Sequence, residues 1–174
     1  RQMMQKVFNV FSQNNLEISI NLSYENINSK SMVDYIINRL DKYGGVGITF
    51  EIVESEDVQD YKVLEEFILL VKTYGCKISI DDFGSGYSNF TQIIQLNIDY
   101  LKLDGSLIQK LNTDENVRHM IRGLLLYAQN ANIKTIAEFV DTKELADSVR
   151  DLGIDYIQGY YYGEPKSANF YGLK

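Results

Sequence analysis

Five oxygen-bearing side chains close short apolar runs along this chain: Asn21 after Ile18-Ser19-Ile20, Glu51 after Ile48-Thr49-Phe50, Asp81 and Asp82 after Ile78-Ser79-Ile80, and Glu138 after Ile136-Ala137. Two further runs end on Lys102 with Asp104 and on Gln158. Carboxylates and an amide carbonyl, with no His or Cys cluster among them, are hard donors that favour Mg²⁺ or Mn²⁺ over Zn²⁺. Two such ions bridged by one carboxylate would lie about 3.5 to 4 Å apart and clamp the attacking and leaving oxygens of a phosphodiester displacement. Taken singly, an acid after a strand is more often a helix N-cap than a catalyst. Taken together, acids delivered by several strands to one end repel each other unless cations sit among them. Lys102, inside an otherwise apolar run, makes the same point, because an unpaired buried ammonium is costly.

The elements that must position these groups follow from periodicity. Runs with strand character cover Leu16 to Asn21, Gly47 to Val53, Lys77 to Asp81, Tyr100 to Asp104, Lys134 to Glu138 and Tyr156 to Gln158. Between them, apolar residues recur at helical spacing: Val33, Ile36, Ile37 and Leu40; then Val58, Tyr61, Leu64, Ile68 and Val71; then Val117, Met120, Ile121, Leu124 and Ala128. Helices are also expected over Met3 to Phe11 and Lys143 to Leu152. Gly44-Gly45, Gly75 and Gly153 stand where helices should end in left-handed caps. Strands alternating with helices predict an α/β fold around a parallel sheet, one domain over residues 1–174.

Periodicity leaves a doubly wound sheet and an incomplete barrel both open. The loop Asn21-Leu22-Ser23-Tyr24-Glu25 has no glycine, and Gly84-Ser85-Gly86 lacks the third glycine of a dinucleotide fingerprint. Functional groups at the C-terminal ends of several strands are the habit of barrels. Period-two alternation puts Ser19 with Asn21, Thr49 with Glu51 and Ser79 with Asp81 on an inner face, the bulky residues facing out. Glu138 departs from this pattern, sharing parity with Ile136.

The formal net charge of −7 argues against a polyanion-binding groove, so no DNA partner is expected. No run of eighteen apolar residues occurs, and no membrane contact by this segment is expected. The lone Cys76 suits a packing role in a reducing compartment. His119 has no second imidazole at metal-ligand spacing, and Asp82-Phe83-Gly84 stands without the other kinase segments.

At these residues the sequence resembles the EAL-domain cyclic di-GMP phosphodiesterases, over essentially the whole chain. Asn21-Leu22-Ser23 is similar to the family's N-L-S, and Glu51-Ile52-Val53-Glu54 to its E-x-x-E. Asp81-Asp82-Phe83-Gly84-Ser85-Gly86-Tyr87-Ser88 matches D-D-F-G-x-G-Y-S, the longest and most specific element. Leu101-Lys102-Leu103-Asp104 corresponds to L-K-I-D, Ala137-Glu138-Phe139-Val140 to A-E-G-V, and Gln158-Gly159-Tyr160 to Q-G-Y.

The resemblance implies a TIM-like (β/α) barrel in which two Mg²⁺ or Mn²⁺ ions activate a water that opens cyclic di-GMP to linear pGpG. It assigns Asn21, Glu51, Asp81, Asp82 and Glu138 as metal ligands, with Glu138 also able to deprotonate the water. Lys102 would steady the water or the phosphate charge, Gln158 and Asp104 would contact water or substrate, and Glu54 would brace the loop after Asp82. A cytoplasmic homodimer is implied, fused upstream to sensor or diguanylate cyclase-like domains that can anchor the protein to a membrane.

Several positions depart from the family. Phe139 stands for Gly, Asp141 for the second Glu of A-E-G-V-E, and Asn97 for a frequent proline. The naming E-A-L glutamate has no counterpart before Asn21, so the barrel is expected to be incomplete at the N-terminus, about six of eight strands, and the segment alone inactive. The alternative is an EAL domain that binds cyclic di-GMP as a receptor or dimerises without turnover.

Overall fold

A computed structural model describes residues 4–8, 16–53, 58, 60–85, 93 and 95–172. Six strands form one sheet: β1 (Ile18–Leu22), β2 (Ile48–Val53), β3 (Lys77–Phe83), β4 (Tyr100–Leu103), β5 (Lys134–Ala137) and β6 (Tyr156–Ile157). All pair in parallel, and their spatial order is their order in the chain. A doubly wound sheet reverses its strand order at a switch point. This one never does, which decides the question periodicity left open.

Curvature gives the same answer. Six strands spaced about 4.8 Å apart would spread over roughly 24 Å if flat. Yet Ser19 on β1, Thr49 on β2, Ser79 on β3, Tyr100 on β4, Ile136 on β5 and Tyr156 on β6 line a single cleft of about 250 Å³. The sheet is therefore rolled into the arc of a barrel, with β1 and β6 as its edges. Ile136 lies on the concave side, so Glu138, two residues on, keeps the inward parity of its strand. The expected anomaly at Glu138 came from assuming that every isoleucine faces outward.

The convex side carries the core. Ile20, Leu22, Phe50, Ile52, Ile78, Ile80, Leu101, Leu103 and Ala137 are buried there with the apolar stripes of the helices. Those helices are α1 (Tyr24–Asn28), α2 (Lys30–Tyr43), α3 (Tyr61–Lys72), α4 (Gly105–Ile108), α5 (Glu115–Asn130) and α6 (Lys143–Leu152). Residues 4–8 are helical too, and the rest of the helix expected over Met3 to Phe11 lies outside the described residues.

Helix starts are set by side chains. Ser23, Asp60, Asp104, Asp114 and Thr142 each accept a hydrogen bond from a backbone N–H of the first turn of α1, α3, α4, α5 and α6. Each such cap stabilises its helix by about 1 kcal/mol. Of the expected glycine caps, Gly153 ends α6 in the left-handed well at φ 86° and ψ 26°. Gly44 ends α2 at φ 75° and ψ 176°, outside that well, and Thr73 caps α3 instead of Gly75. Gly45 is required for space, since a Cβ there would meet the Cys76 sulfur at 2.5 Å.

That sulfur gives a test of the fold. Burial lifts the Cys76 thiol from an ordinary value near 9 to about 12. Between those values an unfolded thiol ionises and a folded one does not, so this stabilising difference is fully present below pH 9 and is lost as pH rises toward 12. At pH 9, iodoacetamide should label Cys76 only as fast as the protein opens, at least tenfold more slowly than in urea. Equal rates would mean that Cys76 is accessible in the native state.

Candidate functional site

The acids of this sheet fall into two sets with opposite surroundings. Asp99 and Asp155, before β4 and β6, are satisfied. Asp99 accepts from the Ile78 amide at 2.8 Å and pairs with Lys72 at 2.9 Å. Asp155 accepts from the Thr135 amide at 2.9 Å and from Lys134. Partial burial alone would raise the Asp155 carboxyl, but Lys134 and Thr135 outweigh it and hold the group below the usual range. These acids tie strands together.

At the opposite ends of the strands the acids crowd one another. Carboxylate oxygens of Asp81, Asp82 and Glu138 all lie within 4.8 Å of each other. The local backbone explains how two adjacent residues reach one place. Ile80 pairs with Leu101 but Phe83 with Leu103, so β3 carries one more residue than β4 across this stretch. Asp82 absorbs the extra residue at φ 55°, a left-handed conformation that Asp tolerates better than most residues. The bulge breaks the alternation that would have sent Asp82 away from Asp81.

Lys102 stands at the centre. Its ammonium is 2.7 Å from Asp81 Oδ1, 2.8 Å from Glu138 Oε1 and 3.4 Å from Glu51 Oε2, with its side chain 5 % exposed. Burial alone would lower the Lys102 pKa, yet the bonds to Asp81 and Glu138 and the charge of Glu51 raise it above the ordinary lysine value. Lys102 therefore remains a cation. Burial raises the Glu138 pKa, and the charges of Asp81 and Asp82 add to this against the opposing pull of Lys102. Burial also raises that of Asp82, helped by the charges of Asp81 and Asp104.

One ammonium faces four carboxylates here, a formal excess of three negative charges. A cluster with that deficit and only hard oxygen donors fits divalent ions of the Mg²⁺ or Mn²⁺ type.

Of the other residues expected at the site, Asn21 sits on β1 opposite Glu51, next in the row of strand ends. Gln158 follows β6 and lines a cleft of about 280 Å³ with Glu138. Asp104 accepts from the Ser106 amide at 2.9 Å and from the Ser106 hydroxyl, so it acts as the cap of α4. Its charge nevertheless reaches Asp82. Glu54 lies outside the described residues.

Sequence reasoning did not anticipate that Gln109, Asp141 and Tyr160 would line the cleft beside Glu138. Tyr160 was legible as the last residue of the matched Q-G-Y, and Asp141 as the residue after the matched A-E-G-V. Gln109 was not, because α4 is too short to show a period.

A family model described as "EAL domain" matches residues 1–165. Cyclic di-GMP phosphodiesterase PdeB of Shewanella oneidensis is 30 % identical over 151 residues, which are 86 % of this chain and 18 % of that protein. Cyclic di-GMP phosphodiesterase PdeA of Borreliella burgdorferi is 34 % identical over 158 residues, 89 % of this chain and 24 % of that protein. The chain thus spans at most about a quarter of these two relatives. Among solved structures, the PaMucR phosphodiesterase in complex with c-di-GMP superposes with a TM-score of 0.79 at 27 % identity, covering 89 % of this chain and 64 % of that one. The FimX EAL domain from Pseudomonas aeruginosa bound to c-di-GMP gives a TM-score of 0.85 at 21 % identity, over 95 % of this chain and 69 % of that one, a likeness of fold alone.

Proposed function

The chain belongs to the EAL domain family, and from that premise we propose that the protein hydrolyses cyclic di-GMP to linear pGpG with the help of divalent metal ions. The observation that carries this reading is the carboxylate cluster of Asp81, Asp82 and Glu138 around the ammonium of Lys102. A receptor that only binds a dinucleotide has no use for three crowded acids, each costly to keep charged in partial burial.

Asn21, Glu51, Asp81, Asp82 and Glu138 would hold Mg²⁺ or Mn²⁺. When bound, the ions supply positive charge that acidifies a water and neutralises the phosphodiester. Glu138, buried at the end of β5 beside Asp81 and Asp82, takes a proton from the attacking water. The water oxygen bonds to phosphorus, the bond from phosphorus to the ribose 3′ oxygen breaks, and the departing oxygen gains a proton to give pGpG. Lys102, held between Asp81 and Glu138, offers fixed positive charge to the phosphate as negative charge grows on it. Gln158 orients water or substrate from the rim.

The same reading takes a cytoplasmic homodimer as the assembly and sensor or cyclase-like domains upstream as its regulators. It needs no DNA and no membrane contact by these residues. Among the described residues, no helix is long and apolar enough to cross a membrane.

The test is turnover of cyclic di-GMP by the intact protein with Mg²⁺ or Mn²⁺, followed by chromatography of pGpG. Metal-dependent appearance of pGpG, abolished by EDTA, is expected. Tight binding of cyclic di-GMP without pGpG would replace this reading with the receptor one.

A further inference from the structure

Asp82 and Glu138 reach the site through turns of the same uncommon kind. Asp82 has φ 55°, and Phe139, the residue after Glu138, has φ 54°. Both lie in the left-handed region that residues other than glycine resist, and such residues persist only where their surroundings over-determine them. At Phe139 the backbone is held on both sides. A regular strand repeats every two residues, so Glu138 and Val140 would donate to the same neighbour. They do not: the Glu138 N–H goes to Leu103 O at 3.2 Å, on the β4 side, and the Val140 N–H to Gln158 O at 3.1 Å, on the β6 side. The chain turns at Phe139.

That turn carries a ring, and the ring sits on one particular residue. A Cβ on Gly105, the first residue of α4, would meet Phe139 Cδ2 at 2.6 Å and its Cβ and Cγ at 2.8 Å each. Gly105 is buried and lies outside the left-handed region, so its backbone would accept an alanine, and Phe139 is what stands in the way of one. The other contact of α4 repeats the arrangement. Leu107 packs so closely on Gly84, two residues after Asp82, that a Cβ at 84 would overlap the leucine. On the same side the Asp104 N–H donates to Phe83 O at 3.1 Å. Helix α4 is thus wedged between the turn that carries Asp82 and the turn that carries Glu138, with a glycine at each contact.

The carboxylates held by these turns lie, with Asp81, within 4.8 Å of one another. Like charges this close repel, so their spacing must be set by the frame behind them. We propose that Phe139 is a positioning residue whose ring, seated on Gly105, braces the turn after β5 against α4 and so fixes Glu138 relative to Asp82. The proposal rests on the phosphodiesterase reading, which makes Glu138 a metal ligand and the base. It accounts for an aromatic at a backbone position suited to glycine: the ring at 139 and the missing side chain at 105 are a matched pair.

The test is a double-mutant cycle in the intact protein with G105A, F139G and G105A/F139G. Its readouts are kcat at saturating cyclic di-GMP, Mn²⁺ affinity by calorimetry without substrate, and melting temperature in EDTA. G105A drives a methyl group into the ring and should lower kcat about 10- to 100-fold and weaken Mn²⁺ binding about tenfold, the scale expected of a displaced ligand and base. F139G relaxes the backbone at 139 but removes the brace, and should lower kcat and Mn²⁺ affinity about tenfold each. In G105A/F139G the ring atoms that the methyl would meet are gone, so the double variant should match F139G within about threefold instead of multiplying the two losses. Because glycine favours the φ at 139, F139G decides the matter even where G105A does not fold. If F139G equals the original in kcat and Mn²⁺ affinity, if the losses multiply in the double variant, or if only melting temperatures change, Phe139 positions nothing and the proposal is overturned. If the original protein yields no pGpG, the phosphodiesterase reading fails, and the Mn²⁺ arm alone decides the brace: the same pattern upholds it and its absence overturns it.

Discussion

E138Q in the intact protein should lower turnover of cyclic di-GMP by about 10²- to 10⁴-fold, the range lost when a positioned general base is removed. The substitution is nearly isosteric, and its carbonyl oxygen can still accept from Lys102, which lies 2.8 Å from Glu138 Oε1. What disappears is the negative charge and the basicity. The pH profile offers a second readout. The acid limb of activity, where the general base becomes protonated, should vanish in E138Q. The stability effect runs the opposite way. Between its ordinary value and its raised one, the folded state holds the Glu138 proton more tightly than the unfolded state, so the metal-free protein gains stability as pH falls through that interval. E138Q should flatten this dependence. A variant that keeps more than a tenth of the original turnover across the pH range would remove Glu138 from the chemistry.

The fold was largely legible because its signals are local and repeated. Apolar stripes at helical spacing placed α2, α3, α5 and α6, and six runs of strand character placed β1 to β6 within two residues at each end. What escaped notice was short or non-local. Helices α1 and α4 have 5 and 4 residues, too few for a period, and only their caps, Ser23 and Asp104, announce them. Asp104 does what a single strand-end acid most often does, capping α4 through the Ser106 amide, while its charge also acts on Asp82. Strict alternation would have separated Asp81 from Asp82, because no residue type signals the bulge that brings them together. The parity of Glu138 was misjudged for a related reason, since the concave face of a curled sheet accepts an isoleucine as readily as a serine. Lys102 was identified from its apolar surroundings, but its three partners come from β2, β3 and the end of β5, and only the sheet order could bring them together.

K102M should destabilise the metal-free protein by about 3 to 5 kcal/mol, the usual result of leaving buried charges without their partner. Methionine fills much of the lysine stem's volume, so the loss would be electrostatic and not a cavity effect. Without the ammonium, Glu51, Asp81 and Glu138 face each other uncompensated, with Asp82 close by. At this chain length such a loss lowers the melting temperature by roughly 6 to 20 °C. Mg²⁺ or Mn²⁺ should restore more of that stability in K102M than it adds to the original protein, because the cation then replaces charge that Lys102 supplied. Turnover should stay low even with the metal present, since a hard cation held by carboxylates does not reproduce an ammonium between Asp81 and Glu138. Melting curves with EDTA and with Mn²⁺, set beside turnover in the same buffers, read the two effects separately. Equal stabilisation of K102M and the original by Mn²⁺ would mean that the carboxylates around Lys102 are not where the cation binds, and the metal assignment of Glu51, Asp81 and Glu138 would have to be abandoned.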